Sequence, residues 1–250
     1  MRGYRQLAEH LRQQINRGDY PPGSTLPRII DLMAVHSLSR QTVREAIGVL
    51  ADEGLVVTMG KGGTQVRNRL RVRIPLSRYS RVLRPGGTKG PWESACAQQG
   101  LDGRMKVVDV SRGQGPEGVA ALLDAPEDAE LLHRCRHATI GPDDVVQIQR
   151  AWYLADLADE VGISGEGKVV GGVFAAFAAA GHPPAKASER VESRMPSPSE
   201  AAQLRIGGKV PVIAVERVTR DREGRALEVL RSVAPADRVQ LIYDDLPLNT

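Results

Sequence analysis

The chain has 250 residues, enough for two domains, with 34 Lys and Arg against 30 Asp and Glu. Its two cysteines, Cys96 and Cys135, stand far apart and give no disulfide framework, which suits a reducing cytoplasm. No apolar run approaches the roughly 20 residues that span a bilayer, and the N-terminus lacks the apolar core of a signal peptide, so no membrane partner is expected.

Charge is unevenly placed. Residues 1–73 hold twelve Lys and Arg against six Asp and Glu, while residues 74–250 hold 22 against 24. A small basic unit followed by a near-neutral one is the pattern of a module drawn to phosphates.

In chain order, Tyr4, Leu7, Ala8, Leu11 and Ile15 form the buried stripe of a first helix. A second helix is predicted from Pro27 to about Val35, with a turn at His36-Ser37-Leu38. Ser39 stands where an N-cap belongs, and Val43, Ala46, Ile47 and Leu50 follow at the spacing of a third helix. The opposite face of its first turns shows Arg40, Gln41 and Arg44. After Gly54 come β-formers from Leu55 to Thr58, the glycine-rich turn Gly60-Lys61-Gly62-Gly63, and a strand from Thr64 to Val66. Helix, turn, helix and hairpin make a winged helix-turn-helix, whose second helix of the pair enters the major groove. Arg40 and Arg44 are expected on bases or phosphates with Gln41 and Thr42 beside them, and Lys61 and Gly62 at or beside the minor groove.

Residues 68–91 read as a linker. Arg67, Arg69, Arg71, Arg73, Arg78, Arg81 and Arg84 alternate with short apolar residues before Pro85-Gly86-Gly87. Its arginines are either solvated or run beside the DNA backbone, and the Pro-Gly-Gly is a plausible hinge on both readings.

From residue 92 onward, strands succeed one another with short helices between them, an antiparallel α+β pattern. Helices are expected after Pro91-Trp92, over 117–123 and over 169–180. Strands are expected over 105–111, 131–139, 145–153, 185–194, 210–220, 226–233 and 239–243. Ser197-Pro198-Ser199-Glu200 has the form of a capping box with proline at the first helical position. On the strand 131–139, Arg134 and Arg136 share one face, while His133, Cys135 and His137 share the other. Neighbours two apart on a strand lie roughly 6.5–7 Å from each other, too far to converge easily on one ion. No metal or other cofactor is expected.

The N-terminal motifs resemble the GntR family of bacterial transcription regulators. The carrying residues are Tyr4-Arg5-Gln6-Leu7-Ala8, Gly18 to Pro27, Ser39-Arg40-Gln41-Thr42-Val43-Arg44, Glu53-Gly54-Leu55-Val56 and Gly63-Thr64. Where that family has an acidic residue and an arginine after Leu-Pro, this chain has Ile29 and Ile30. The arginine's hold on the DNA backbone is therefore vacant or shifted to Arg28. Residues 92–246 are similar to the UTRA domain of HutC-type members, an effector-sensing domain of chorismate-lyase-like fold. That likeness rests on His133 to Arg136, Gln149 to Leu157, Ala201 to Ile206, Val215 to Asp221, Gly224 to Glu228 and Ala236-Asp237-Arg238.

The resemblance implies domains over 1–67 and 92–250, an effector pocket and a homodimer in the bacterial cytoplasm, on the nucleoid when bound to an inverted-repeat operator. The family's Arg-x-Arg pair carries over to Arg134 and Arg136, a pair suited to an anionic effector. Gln149 and Glu228 lie on neighbouring strands, Glu189 and Arg231 are further candidates, and Trp92 and Trp152 could give an apolar wall. Gln149 replaces a family carboxylate, so an amine is not expected at that place. Since a related fold hosts a lyase, an enzyme with incidental DNA binding is the alternative. Residues 92–250 contain no nucleophile or phosphate-loop motif to support it.

Overall fold

The computed structural model describes residues 3–75 and 90–243. Packing contacts divide the chain into two bodies, one of residues 1–70 with 195–212, the other of residues 71–194 with 213–250.

In the first body, α1 (Tyr4–Arg17), α2 (Ile29–His36) and α3 (Arg40–Asp52) precede the hairpin of β1 (Val56–Thr58) and β2 (Thr64–Val66). The apolar stripes read from spacing are the core: Leu7, Ala8 and Leu11 of α1 meet Val43, Ala46, Ile47 and Leu50 of α3. Local chemistry sets the helix ends. Gly18 closes α1 in the left-handed region at φ 86°. Ser37 does the same for α2 at φ 53°. Ser39 caps α3, its hydroxyl accepting from the Thr42 amide at 3.2 Å. Arg12 donates to both carboxylate oxygens of Glu53 at 2.8 and 2.6 Å, tying α1 to the end of α3. Residues 195–212 contribute α8 (Pro198–Leu204), with the expected capping box: the Glu200 amide donates to Ser197 Oγ at 3.2 Å, and the Ser197 amide to Glu200 Oε2 at 2.8 Å.

The second body is built on a six-stranded sheet in the order β4-β5-β6-β9-β8-β7. These are β4 (Gly103–Gly113), β5 (Leu131–Ile140), β6 (Asp144–Leu154), β7 (Lys186–Arg194), β8 (Val212–Arg220) and β9 (Ala226–Pro235). The pairs β4/β5, β5/β6 and β6/β9 are antiparallel. On one sheet face lie α6 (Ala155–Glu160) and α7 (Val173–Ala179), whose Leu157 and Phe177 pack on Leu132, Tyr153 and Leu230. On the other, α5 (Val119–Leu122) packs on Leu131, Trp152 and Val229.

The linker reading needs adjusting. The stretch read as linker carries β3 (Val72–Pro75), paired in parallel with β10 (Val239–Ile242), so the sheets are not wholly antiparallel. Its alternation of Arg with Val and Ile is strand periodicity: Val72 and Ile74 are buried, and Arg71 and Arg73 exposed. Arg67 is not solvated either; it is buried and donates to the Gly54 carbonyl at 2.6 Å. Arg78, Arg81, Arg84 and the Pro85-Gly86-Gly87 hinge lie outside the described residues. Helix α6 had no sequence expectation, because a single turn and a half leaves too short a periodicity to read.

Candidate DNA-reading face and effector pocket

Helix α3 presents Arg40, Gln41 and Arg44 to solvent, while the buried stripe behind them holds the helix on the core. The side chains of Arg28, Arg40 and Arg44 are exposed and make no hydrogen bond or ion pair among the described residues, which leaves their guanidiniums available to phosphates and base edges. Gln41 donates to Glu45 Oε1 at 2.9 Å, one helical turn on. The Thr42 hydroxyl lies 2.8 Å from that of Ser39, so both belong to the cap as well as to the presented surface. Ile30, where the family pattern has arginine, is 62% exposed; Ile29 instead packs on the core. At the wing tip Gly62 is exposed in a single 3-10 turn, Gly60–Gly62. The Lys61 side chain lies outside the described residues.

The second body encloses a cavity of about 130 Å³. Its floor is the sheet face carrying Arg134, Arg136, Gln149, Glu228 and Glu189, all lining residues as parity implied. Trp92 is a wall, pinned by its indole N–H to the Thr139 carbonyl at 3.1 Å. It belongs to α4 (Pro91–Ala97), whose first turn is closed by Glu93 accepting from the Gly90 amide at 2.9 Å.

Trp152 and Arg231 do not reach this cavity. Trp152 pairs across from His133 and Val229, and Arg231 from Arg150, so both point to the opposite face. There Trp152 stacks on His133 with centroids 5.1 Å apart, and Arg231 lies over the Trp152 ring while pairing with Glu216 at 2.9 Å. The period of two that placed Arg134 and Arg136 together also separates them from Trp152.

Arg134 is in the cavity but committed. Fully buried, it donates to the carbonyls of Ile163, Gly165 and Gly167 at 2.5, 2.5 and 2.7 Å, organising the glycine loop before α7. Burial pushes its guanidinium below the usual value. The Arg136 side chain makes no hydrogen bond or ion pair among the described residues, and its Nε is buried without a partner.

Tyr153, Arg217, Glu93 and Lys168 escaped the sequence reading; the first two are partners of the expected Glu228. Glu228 is fully buried, accepting from Tyr153 Oη at 2.6 Å and from Arg217 at 2.5 Å. Burial would raise its carboxyl, but Arg217, Arg136 and the Tyr153 hydroxyl outweigh that and hold it below its ordinary range. Lys168 pairs with Glu93 at 2.6 Å on the cavity wall. Strand parity relative to Val215 could have found Arg217. Nothing in the sequence marks Lys168, which reaches the site from a loop.

Of the lining cations, then, Arg134 is held by carbonyls, Arg217 by Glu228 and Lys168 by Glu93, leaving Arg136 open beside the amides of Gln147 and Gln149. Apolar lining comes from Trp92, Met105, Val107, Phe174 and Leu230. Among the described residues no group of three or more His, Cys, Asp and Glu could hold a metal, and no helix is long and apolar enough to cross a membrane.

Comparison with known proteins gives the family. The UTRA domain model matches residues 98–240, more than half of the chain, and the model of bacterial regulatory proteins of the gntR family matches residues 3–66. The chain belongs to the GntR family of transcription regulators, HutC type. Among relatives of this GntR regulator is the HTH-type transcriptional regulator GgaR of Escherichia coli K12, 29% identical over 251 residues, covering 97% of this chain and 90% of GgaR. The HTH-type transcriptional repressor NagR of Bacillus subtilis is 24% identical over 240 residues, covering 96% of this chain and 93% of NagR. The crystal structure of PhnF from Mycobacterium smegmatis shares the fold, with a TM-score of 0.61 at 21% identity, covering 97% of this chain and 99% of PhnF. The GntR regulator is a DNA-binding protein with a UTRA effector domain; family membership points away from an enzyme.

Proposed function

We propose that this regulator is a homodimeric repressor of an inverted-repeat operator, released when a small, singly charged and partly apolar anion occupies the UTRA cavity against Arg136. The observation carrying the ligand class is that Arg136 alone among the lining cations has no partner in the described residues. A single open guanidinium favours one carboxylate or phosphate oxygen pair; the neighbouring Trp92, Phe174 and Leu230 favour an apolar body. Arg40, Gln41, Thr42 and Arg44 would read the major groove, Arg28 and Ser39 would lie near the backbone, and Lys61 and Gly62 would serve the wing. The name of NagR as a repressor supports repression here. One recognition helix reads too few base pairs for a specific site, which supports a twofold dimer. Catalysis has little support: the fully buried carboxylate of the cavity is spent on Arg217 and Tyr153, as a structural ion pair would be.

A mobility shift of DNA flanking the regulator's own gene, with fractionated metabolites added, tests this. Retarded DNA that an anionic fraction releases is the expected result. Release by a neutral or cationic fraction alone, or by none, contradicts the reading.

A further inference from the structure

Residues 195–212 lie in sequence between two strands of the effector sheet, yet they pack with the N-terminal body. The chain leaves the sheet at the end of β7, forms α8 and returns through β8. β7 and β8 are neighbours at the sheet edge, and each carries cavity-lining residues: Glu189 on β7, Val215 and Arg217 on β8.

The inserted segment grips the end of the recognition helix. Gly207 lies so close to the last turn of α3 that a Cβ there would stand 2.5 Å from the Ala51 carbonyl oxygen. Because that neighbour is backbone, no side-chain rotation relieves the overlap, and the approach needs glycine. Two residues on, Lys209 Nζ lies 2.8 Å from Asp52 Oδ2, placing a cation at the negative end of the α3 dipole. The turn is not loose: Leu204, Ile206 and Val210 are buried, and the capping box closes the other end of α8.

We infer that residues 195–212 transmit the state of the effector cavity to the recognition helix. Their two ends are continuous with cavity-lining strands, and their middle is docked on Ala51 and Asp52 of α3, the helix that presents Arg40 and Arg44. A ligand favouring one placement of β7 and β8 thereby favours one state of the α3 terminus, which is the differential interaction that coupling requires. The inference rests on the effector-cavity reading for what moves the strands, but the docking needs no ligand.

The test therefore uses none. Hydrogen–deuterium exchange of the full-length protein is compared for wild type, Arg217→Met, Gly207→Val and the double variant, following the peptide over residues 49–55. Arg217→Met disturbs β8 from the cavity side and is expected to raise exchange several-fold in β8 and also in residues 49–55. In Gly207→Val, residues 49–55 already exchange faster, and adding Arg217→Met changes them no further, the non-additivity of a shared route. Should either variant fail to fold, Val215→Ala replaces Arg217→Met, and Lys209→Glu, with Asp52→Lys as its restoring partner, replaces Gly207→Val. A cavity-side change that loosens β8 and leaves residues 49–55 untouched overturns the inference, as do effects that simply add. Failure of the effector reading would appear instead as absence of ligand-induced release, with this exchange pattern intact.

Discussion

Replacing Arg134 and replacing Arg136 have different consequences, although the two look equivalent in sequence. Arg134→Ala strands three loop carbonyls that now accept from its guanidinium. Leaving the buried Ile163 carbonyl unsatisfied costs about 1–3 kcal/mol, while water can reach those of the exposed Gly165 and Gly167, so thermal unfolding should shift down while the apo protein still binds its operator. Arg136→Ala breaks no side-chain hydrogen bond or ion pair among the described residues and loses only its electrostatic pull on Glu228, so it should lower the melting temperature less than Arg134→Ala does while abolishing ligand-induced release. Equal melting temperatures for the two variants would contradict this division. Glu228 adds a pH dependence. Its folded carboxyl is held below the ordinary value of 4.5, so its contribution to stability is complete above that pH and is lost as pH falls through the lower folded value. Glu228→Gln breaks a buried pair, at a cost of about 3–5 kcal/mol, and should flatten the acid limb of a denaturation series below pH 4.5. An unchanged acid limb in that variant would place the effect elsewhere.

At the scale of elements, the recognition helix was legible because one periodicity served both purposes: Val43, Ala46, Ile47 and Leu50 face the core, so Arg40 and Arg44 must face out. Ser39→Ala should lower stability by about 1 kcal/mol, read by chemical denaturation, since the cap to Thr42 is lost. Arg44→Ala should cost about 1–3 kcal/mol in operator affinity by fluorescence anisotropy, with the fold intact by circular dichroism. Gly62→Glu should also weaken binding, since it places a carboxylate at the wing tip beside phosphates. Strand parity likewise put Arg134, Arg136 and Gln149 on the cavity floor, and the same parity excludes Trp152 and Arg231. What parity could not tell is which cation is already occupied. The carbonyls that claim Arg134 come from residues 163–167, and the lysine that pairs with Glu93 is Lys168. Contacts made by a loop carry no period, so they leave no mark in the pattern of residues. The linker shows a second limit. Alternating arginines were read as extended chain, which is also what a strand is; the partner that makes β3 a strand is β10, more than 160 residues on.

In the whole molecule, a basic helix-turn-helix body reads DNA and a near-neutral body carries the effector domain. The division by charge was visible in composition; the exchange of residues 195–212 between the bodies was not, because chain order is a poor guide to which body a segment packs on. The most direct test of the central claim is in vitro selection of random duplex DNA by the full-length protein, run beside the Arg40→Ala, Arg44→Ala double variant. The expected result is enrichment of one inverted repeat by the wild type, its half-sites spaced for two recognition helices on one face of the duplex, and none by the variant. Recovery of unenriched DNA by the wild type, or of the same sequence by the variant, would contradict it.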